Sequence, residues 1–275
     1  MKLDNHAAAD GNAGTHATHE ALKVTINDGL AILSIERPEK RNALTLAMWR
    51  GIATIMADLD AREDVRVIAL TGSGASFSAG ADIAEFATVR ANPEQVVVYE
   101  QAVDACCDAI ENVSKPTIAA INGFCMGGAL NVAMACDFRY AVPAALLSIP
   151  AARLSIVYGL KGTRRLFALV GVSNAKRVLF AGQAVDATEG YRIGLVDEVA
   201  EDVMAATRTA AAVLADNAPL SISGAKTILN KLASADPTLT EAAVQELVDH
   251  AAESEDYAEG RRAFGEKRRP VFRGR

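Results

Sequence analysis

The chain has 275 residues, 51% of them hydrophobic, enough to bury a substantial core as one large domain or one domain plus an appendage. A net charge of −6 argues against a general nucleic-acid binder, and no apolar run approaches the ~20 residues of a membrane span. Cys106, Cys107, Cys125 and Cys136 fit no zinc or redox spacing, so buried reduced thiols in a cytoplasmic protein without metal or redox cofactor are expected.

Residues 1–20 are rich in Ala, Gly, His and Asn, contain no apolar stretch, and read as a disordered tail rather than a signal peptide. Residues 22–26 and 30–35 flank Asn27-Asp28-Gly29, a hairpin signal. A polar loop around Pro38 follows, and Thr45 can cap a helix running to about Leu59. The β-branched run at 65–71 has the character of a strand buried on both faces. After it comes a loop of small residues, 72–80, and then Asp82 with Glu85 three residues later, a pattern resembling a capping box.

A long helix is predicted at 93–112 and a second buried strand at 116–121. The run 122–128 leads into an apolar helix over 129–136. Shorter strands are predicted at 138–142, 146–149 and 195–199, with helices near 162–170, 173–181 and 187–192. Beyond 204 the pattern is only helical, broken at Pro219 and Pro237. The expected organisation is a tail (1–20), an α/β core (21–203) and a C-terminal helical segment (204–275), with no internal sequence repeat.

The loops at 72–82 and 122–128 share one design: buried strand, small residues, helix N-terminus. Glycine and alanine admit a ligand close to the backbone, and the first N–H groups of a helix lack intrahelical partners. Such ends favour negative charge, so two in one chain point to an anion or oxyanion site. Gly72-Ser73-Gly74 begins like a dinucleotide-binding loop, but Phe77 stands at the third glycine position and a hairpin precedes the first parallel strand. From Arg261 onward seven Arg/Lys face one acid, Glu266; composition alone leaves open whether this tail holds an anion or is merely solvated.

Phe77-Ser78-Ala79-Gly80-Ala81-Asp82-Ile83, Lys115-Pro116 through Gly123-Phe124, Met126-Gly127-Gly128 and Cys136-Asp137 together resemble the enoyl-CoA hydratase/isomerase (crotonase) superfamily. The resemblance extends from Arg37-Pro38 and Asn42-Ala43-Leu44 to Phe264-Gly265-Glu266-Lys267-Arg268, in order. It implies a spiral of ββα units with C-terminal helices that pack a trimer or a dimer of trimers. It also implies an acyl-CoA substrate, with no cofactor beyond the coenzyme A of that substrate. The N–H groups of Ala81 and Gly128 would form an oxyanion hole for the thioester carbonyl. Coenzyme A would lie along Lys40, Arg41, Ala79, Ala81, Asp82 and Ile83, with Phe264 and Lys267 reaching the nucleotide, often across a subunit boundary.

The chain departs from the family where hydration needs two glutamates. Their positions hold Asn131 and Ala151, and the diene-isomerase acid falls near Gly159. Asn131 can orient water but is no effective base. Three of the four histidines lie in the tail and His250 reads as a surface residue, which disfavours a histidine-activated nucleophile. Asp82 reads as a helix cap and Cys125 as a packed thiol. The segment from Arg153 to Gly162 resembles that of methylmalonyl-CoA decarboxylases, which puts Tyr158 forward as an active-site residue, and Arg153 and Lys161 as cations for an acidic acyl group. Three functions follow: an acyl-CoA enzyme of this family whose reaction differs from, or is weaker than, ordinary hydration, a malonyl-type decarboxylase, or a non-catalytic acyl-CoA-binding homologue.

Overall fold

A computed structural model describes residues 20–275; the expected tail lies, apart from Glu20, outside the described residues. The chain opens with the hairpin of β1 (Leu22–Asn27) and β2 (Leu30–Ile35). Asp28 and Gly29 sit at φ 48° and 78°, the left-handed pair that a two-residue turn between twisted strands demands. Helix α1 (Leu46–Ala61) starts at Thr45, whose hydroxyl accepts from the Met48 N–H at 3.2 Å.

From there the chain climbs in a repeating unit: a long strand, a very short strand, a helix. The first turn is β3 (Val67–Gly72), β4 (Ser76–Ser78), α2 (Phe86–Val89) and α3 (Pro93–Asn112). The second is β5 (Thr117–Ile121), β6 (Phe124–Met126) and α4 (Gly128–Ala135), and the third is β7 (Phe138–Ala141), β8 (Leu146–Ser148) and α5 (Leu160–Ala181). The return contributes β9 (Val185–Asp186), α6 (Ala187–Ile193) and β10 (Glu198–Val199). The long strands line up as β1-β2-β3-β5-β7-β10 and the short ones as β4-β6-β8-β9. This is the expected ββα spiral, built without a sequence repeat because each turn needs only apolar strands of matching rise and a tight corner.

The main core lies between the two sheets and α1, α3 and α4, around Trp49, Phe77 and Tyr99. The outer face of the large sheet is covered by α7 (Val203–Asp216), whose Val203 and Ala211 pack on Leu30, Val67, Ile118 and Tyr140. That moves the expected boundary at 203/204: α7 belongs to the core, because the sheet's second apolar face needs a cover. Helices α8 (Pro219–Ser234), α9 (Glu241–Ala252) and α10 (Glu255–Glu266) follow. The two helices expected near 162–170 and 173–181 form one element, broken at Gly171 (φ 70°), and the strand expected at 195–199 shrinks to its last two residues. Among the described residues no helix is long and apolar enough to cross a membrane, and all four cysteines are free and buried.

Two glycines test how tightly the corners are made. A Cβ on Gly123 (φ 59°) would sit 2.0 Å from the Ala75 carbonyl oxygen, whereas one on Gly224, within α8, meets nothing nearer than 4.0 Å. Gly123→Ala should therefore cost well over about 1 kcal/mol, and Gly224→Ala should add roughly 0.5–1 kcal/mol of stability. Urea denaturation midpoints check both signs.

Candidate active site

Asn42 builds the first loop. It sits at φ 55°, fully buried, and its side-chain amide donates to the carbonyls of Ser73 (2.8 Å) and Ser76 (2.7 Å) while its Oδ1 accepts from Arg37 N–H at 2.9 Å. Its own carbonyl takes the Ser78 hydroxyl at 2.7 Å, and that hydroxyl accepts from Gly80 N–H at 3.1 Å. The loop then forms a single parallel bridge between Leu44 and Ala81. Leu44 N–H donates to Gly80 C=O and Asp82 N–H donates to Leu44 C=O, 2.7 and 2.8 Å. In a bridge of this kind the groups of Gly80 and Asp82 point toward Leu44, so the N–H of Ala81 between them points the other way.

The second loop ends on α4. Gly127, at φ 55°, donates its N–H to the Ser148 carbonyl of β8 at 2.7 Å, and Gly128 becomes the first helical residue. Its N–H has no intrahelical acceptor, as for every first-turn residue. Among the described residues, neither Ala81 N–H nor Gly128 N–H donates a hydrogen bond within the chain. The loops touch at Gly80: a Cβ there would stand 2.5 Å from the Met126 carbonyl and 3.3 Å from Gly128 N, at a φ of 90°. Ala81 and Gly128 both line one cavity of about 160 Å³.

Asn131, Ala151, Tyr158 and Gly159 line the same cavity, so the sequence-based choices for its interior are brought together. The Asn131 carbonyl faces Arg165, whose Nη1 lies 3.4 Å from it. Arg165 is itself buried and held by Asp108 (2.9 Å) and by Glu111, so α3 and α5 are tied together behind Asn131. The Tyr158 ring lies over Gly162, where a Cβ would be 2.6 Å from Cε1. Its buried hydroxyl has no hydrogen-bond partner, and burial pushes its pKa far above the ordinary phenol range. Trp49 Nε1 donates to Tyr99 Oη at 2.9 Å; burial pushes that phenol up to about 12, the indole bond opposing it.

Other candidates fall away from the cavity. Asp82 caps the turn at Ile83–Glu85 through Ala84 N–H (3.1 Å) and pairs with Arg37 at 3.0 Å, so its carboxylate is committed to holding Ala81 in place. Glu85 does not close a capping box; it accepts from Leu46 N–H at the start of α1. Lys161 pairs with Asp108, Arg153 is exposed beside Gly182, and His250 is exposed on α9. Neither cation lines the cavity. Cys125 is a buried thiol pushed up by desolvation. Lys40 and Arg41 are exposed next to the first loop, with Arg41 C=O accepting from Ala79 N–H at 2.8 Å and its guanidinium 5.6 Å over the Phe124 ring. Phe264 and Lys267 stand elsewhere in the chain: Phe264 is 87% exposed beside a hollow it shares with Tyr257 and Phe272.

The cavity also holds side chains that motif reading missed. Glu100 and Asp104, one turn apart on α3, both line it, as does Arg90. Arg90 pairs with Glu100 at 2.9 Å and lies over the rings of Phe86 and Tyr99 at 4.8 and 5.1 Å. Asp104 is half-buried, and no hydrogen bond or ion pair within the described residues reaches it. The i, i+4 spacing of the two acids was the available signal; it also fits a solvated helix face.

A family profile described as enoyl-CoA hydratase/isomerase matches residues 25–275. The Bacillus subtilis protein YngF, named for the same activities, is 35% identical over 251 residues, 90% of this chain and 96% of its own. The short-chain-enoyl-CoA hydratase of Clostridium acetobutylicum is 33% identical, with 87% and 92% covered. A crystal structure of an enoyl-CoA hydratase/isomerase family protein from Hyphomonas neptunium superposes with a TM-score of 0.90 at 35% identity, covering 94% of this chain and all (100%) of that one.

The raised phenols of Tyr99 and Tyr158 give the fold an alkaline limit. An unfolded tyrosine ionises near 10 whereas the folded Tyr99 holds its proton to about 12, so this stability is whole below pH ~10 and is lost as pH climbs through that window. Absorbance titration should show late-titrating phenols, one of which disappears in Tyr158→Phe. A urea midpoint that stays flat from pH 9 to 12 would contradict this (~2 units of window).

Proposed function

This chain belongs to the enoyl-CoA hydratase/isomerase family, and from that premise we propose that it is an acyl-CoA thioester enzyme whose developing enolate oxygen is held by the N–H groups of Ala81 and Gly128. One observation carries the reading: two residues whose backbone N–H groups are unbonded, from separate turns of the spiral, line the same small cavity. As a thioester is converted to its enolate, charge gathers on the carbonyl oxygen. Fixed donors stabilise that charge more than they stabilise the ground state. With Asn131 and Ala151 at the family's glutamate positions, the reaction is of hydratase or isomerase type but is not run by that glutamate pair.

The charge of the cavity weighs against a malonyl-type decarboxylase. Its wall carries Glu100 and Asp104, while its one guanidinium, Arg90, is already paired. An acidic acyl group would meet repulsion there rather than a free cation. Coenzyme A would run out past Ala79, Ile83, Lys40 and Arg41. Phe264 and Lys267, remote within one subunit, would serve a neighbour's site in a trimer or dimer of trimers. The exposed apolar side chains of Val157 (95%), Leu160 (85%) and Phe180 (72%) support self-association.

Two measurements test this. Gly128→Pro removes one donor at a first-turn position where the helix makes no use of that N–H, and should lower thioester turnover by roughly 10²–10³. Gly128→Ala, which keeps the N–H and brings the same Cβ to 3.0 Å from the Trp49 ring, should cost much less. Crotonyl-CoA hydration and 3-hexenoyl-CoA isomerisation, followed by absorbance with circular dichroism to confirm the fold, supply the readout; undiminished turnover in the proline variant would sink the oxyanion-hole reading. Light scattering should give a multiple of the 28.9 kDa chain mass, three or six chains, and a monomer would remove the shared coenzyme A site.

A further inference from the structure

We propose that Asp104 is the proton-carrying catalytic residue of this cavity, standing on α3 rather than on the two turns where the family keeps its glutamates. The inference rests on the functional reading above, since it takes the thioester carbonyl to lie between Ala81 and Gly128. Forming an enolate then requires a group that accepts the α-proton.

Among the described residues five ionisable side chains line the cavity: Arg90, Tyr99, Glu100, Asp104 and Tyr158. Arg90 is permanently charged and engaged with Glu100. Tyr99 already accepts the Trp49 indole N–H, and its phenol keeps its proton to about 12. Tyr158 is a buried phenol pushed higher still, a hydrogen-bond donor and not a base at neutral pH. Glu100 is tied to Arg90 at 2.9 Å with 48% of its side chain exposed, which places it at the rim. Asp104 alone combines a carboxylate, partial burial, a place in the wall and no partner.

The position of α3 suits the role. Tyr99, which precedes Glu100 and lies five residues before Asp104, is bonded to Trp49, and the Trp49 ring stands 3.0 Å from where a Gly128 Cβ would be. The helix that carries the acid thus packs, through one indole, onto the residue that supplies the second N–H. Arg165 holds Asp108 and Glu111 one and two turns further along the same helix, so α3 is fixed against α5.

The step balances without a co-reactant. Asp104 takes a proton from the α-carbon; the C–H electron pair forms the C=C bond of the enolate, and the carbonyl π pair moves to the thioester oxygen. Return of the proton to the α-carbon restores the thioester. With a β,γ-unsaturated acyl group the same carboxyl returns it to the γ-carbon and the double bond moves into conjugation. One carboxylate is enough for this shift, whereas hydration also needs an activated water.

Exchange of the α-protons of butyryl-CoA in deuterium oxide, followed by NMR, isolates the proton transfer from any particular reaction. The wild type should exchange them. Asp104→Asn should slow exchange by roughly 10²–10⁴ with butyryl-CoA affinity unchanged, and Asp104→Glu should restore part of the rate. Glu100→Gln should cost less than Asp104→Asn. Exchange that survives in Asp104→Asn, or a larger loss in Glu100→Gln, overturns the assignment, as does a wild type that binds butyryl-CoA without exchanging it. A wild type that binds no acyl-CoA overturns the functional reading along with it. Equal melting temperatures for the near-isosteric Asn variant and the wild type keep a folding defect from mimicking the result.

Discussion

The crossing of two loops at Gly80 is the constraint on which the candidate site depends. Any side chain there would run into the Met126 carbonyl at 2.5 Å, and the backbone already sits at φ 90°. Only this approach brings the Ala81 and Gly128 N–H groups, which lie 47 residues apart in sequence, into one cavity wall. The crossing is held from behind on both sides. Asn42 fastens the first loop through its side-chain amide, and Ser148 fastens Gly127. Neither residue lines the cavity. Donors held in this way would need no reorganisation if charge developed beside them, which is the condition under which hydrogen bonds contribute most to a rate.

Ionic interactions elsewhere in the structure act to position rather than to react. Asp82, beside the hole, is committed to Arg37 and to the turn it caps. Arg165 is buried against Asp108 and Glu111 and reaches Asn131, so Asn131 is anchored by a cation that these two carboxylates already neutralise. A buried guanidinium left without these partners would cost several kcal/mol. Its presence explains why α5 and α3 can frame a cavity that contains an unpaired phenol and an unpaired carboxylate.

The strands and the hairpin were legible because β-branched runs and a tight-turn pair of residues have few alternative conformations. The two loops and their helix N-termini were legible for the same reason: small residues between a buried strand and an apolar helix leave little else to build. The short strands β4 and β6 were not. Each has only three residues, and Ser76–Ser78 reads as loop; they become strands only because they pair with each other and with β8 across turns of the spiral. The placement of Glu85 is a similar case. Its spacing from Asp82 satisfies a local rule, but the N-terminus of α1 lies closer in space than its own cap. The packing of α7 on the large sheet was not legible either, because an amphipathic helix does not disclose in sequence which surface it covers.

The least legible element was the acid pair on α3, and the reason is physical. Motifs preserve chemistry where backbone geometry is demanding, at tight turns and strained corners, and so they point to the oxyanion hole. A carboxylate on a long regular helix is subject to no such demand. It can enter the cavity wherever the 3.6-residue period turns a side chain inward, and in sequence it resembles any solvated charge. On α3 that period carries Glu100 and Asp104 to the wall and Cys106 and Cys107 to the core. The proposed hole would thus be fixed by two corners of the spiral, while the two acids of the cavity wall are carried by a helix packed beside them. Because the two rest on different elements, substitutions on the helix would leave the proposed backbone donors undisturbed, which is how such a hole would persist in a chain with Asn131 and Ala151 lining its cavity.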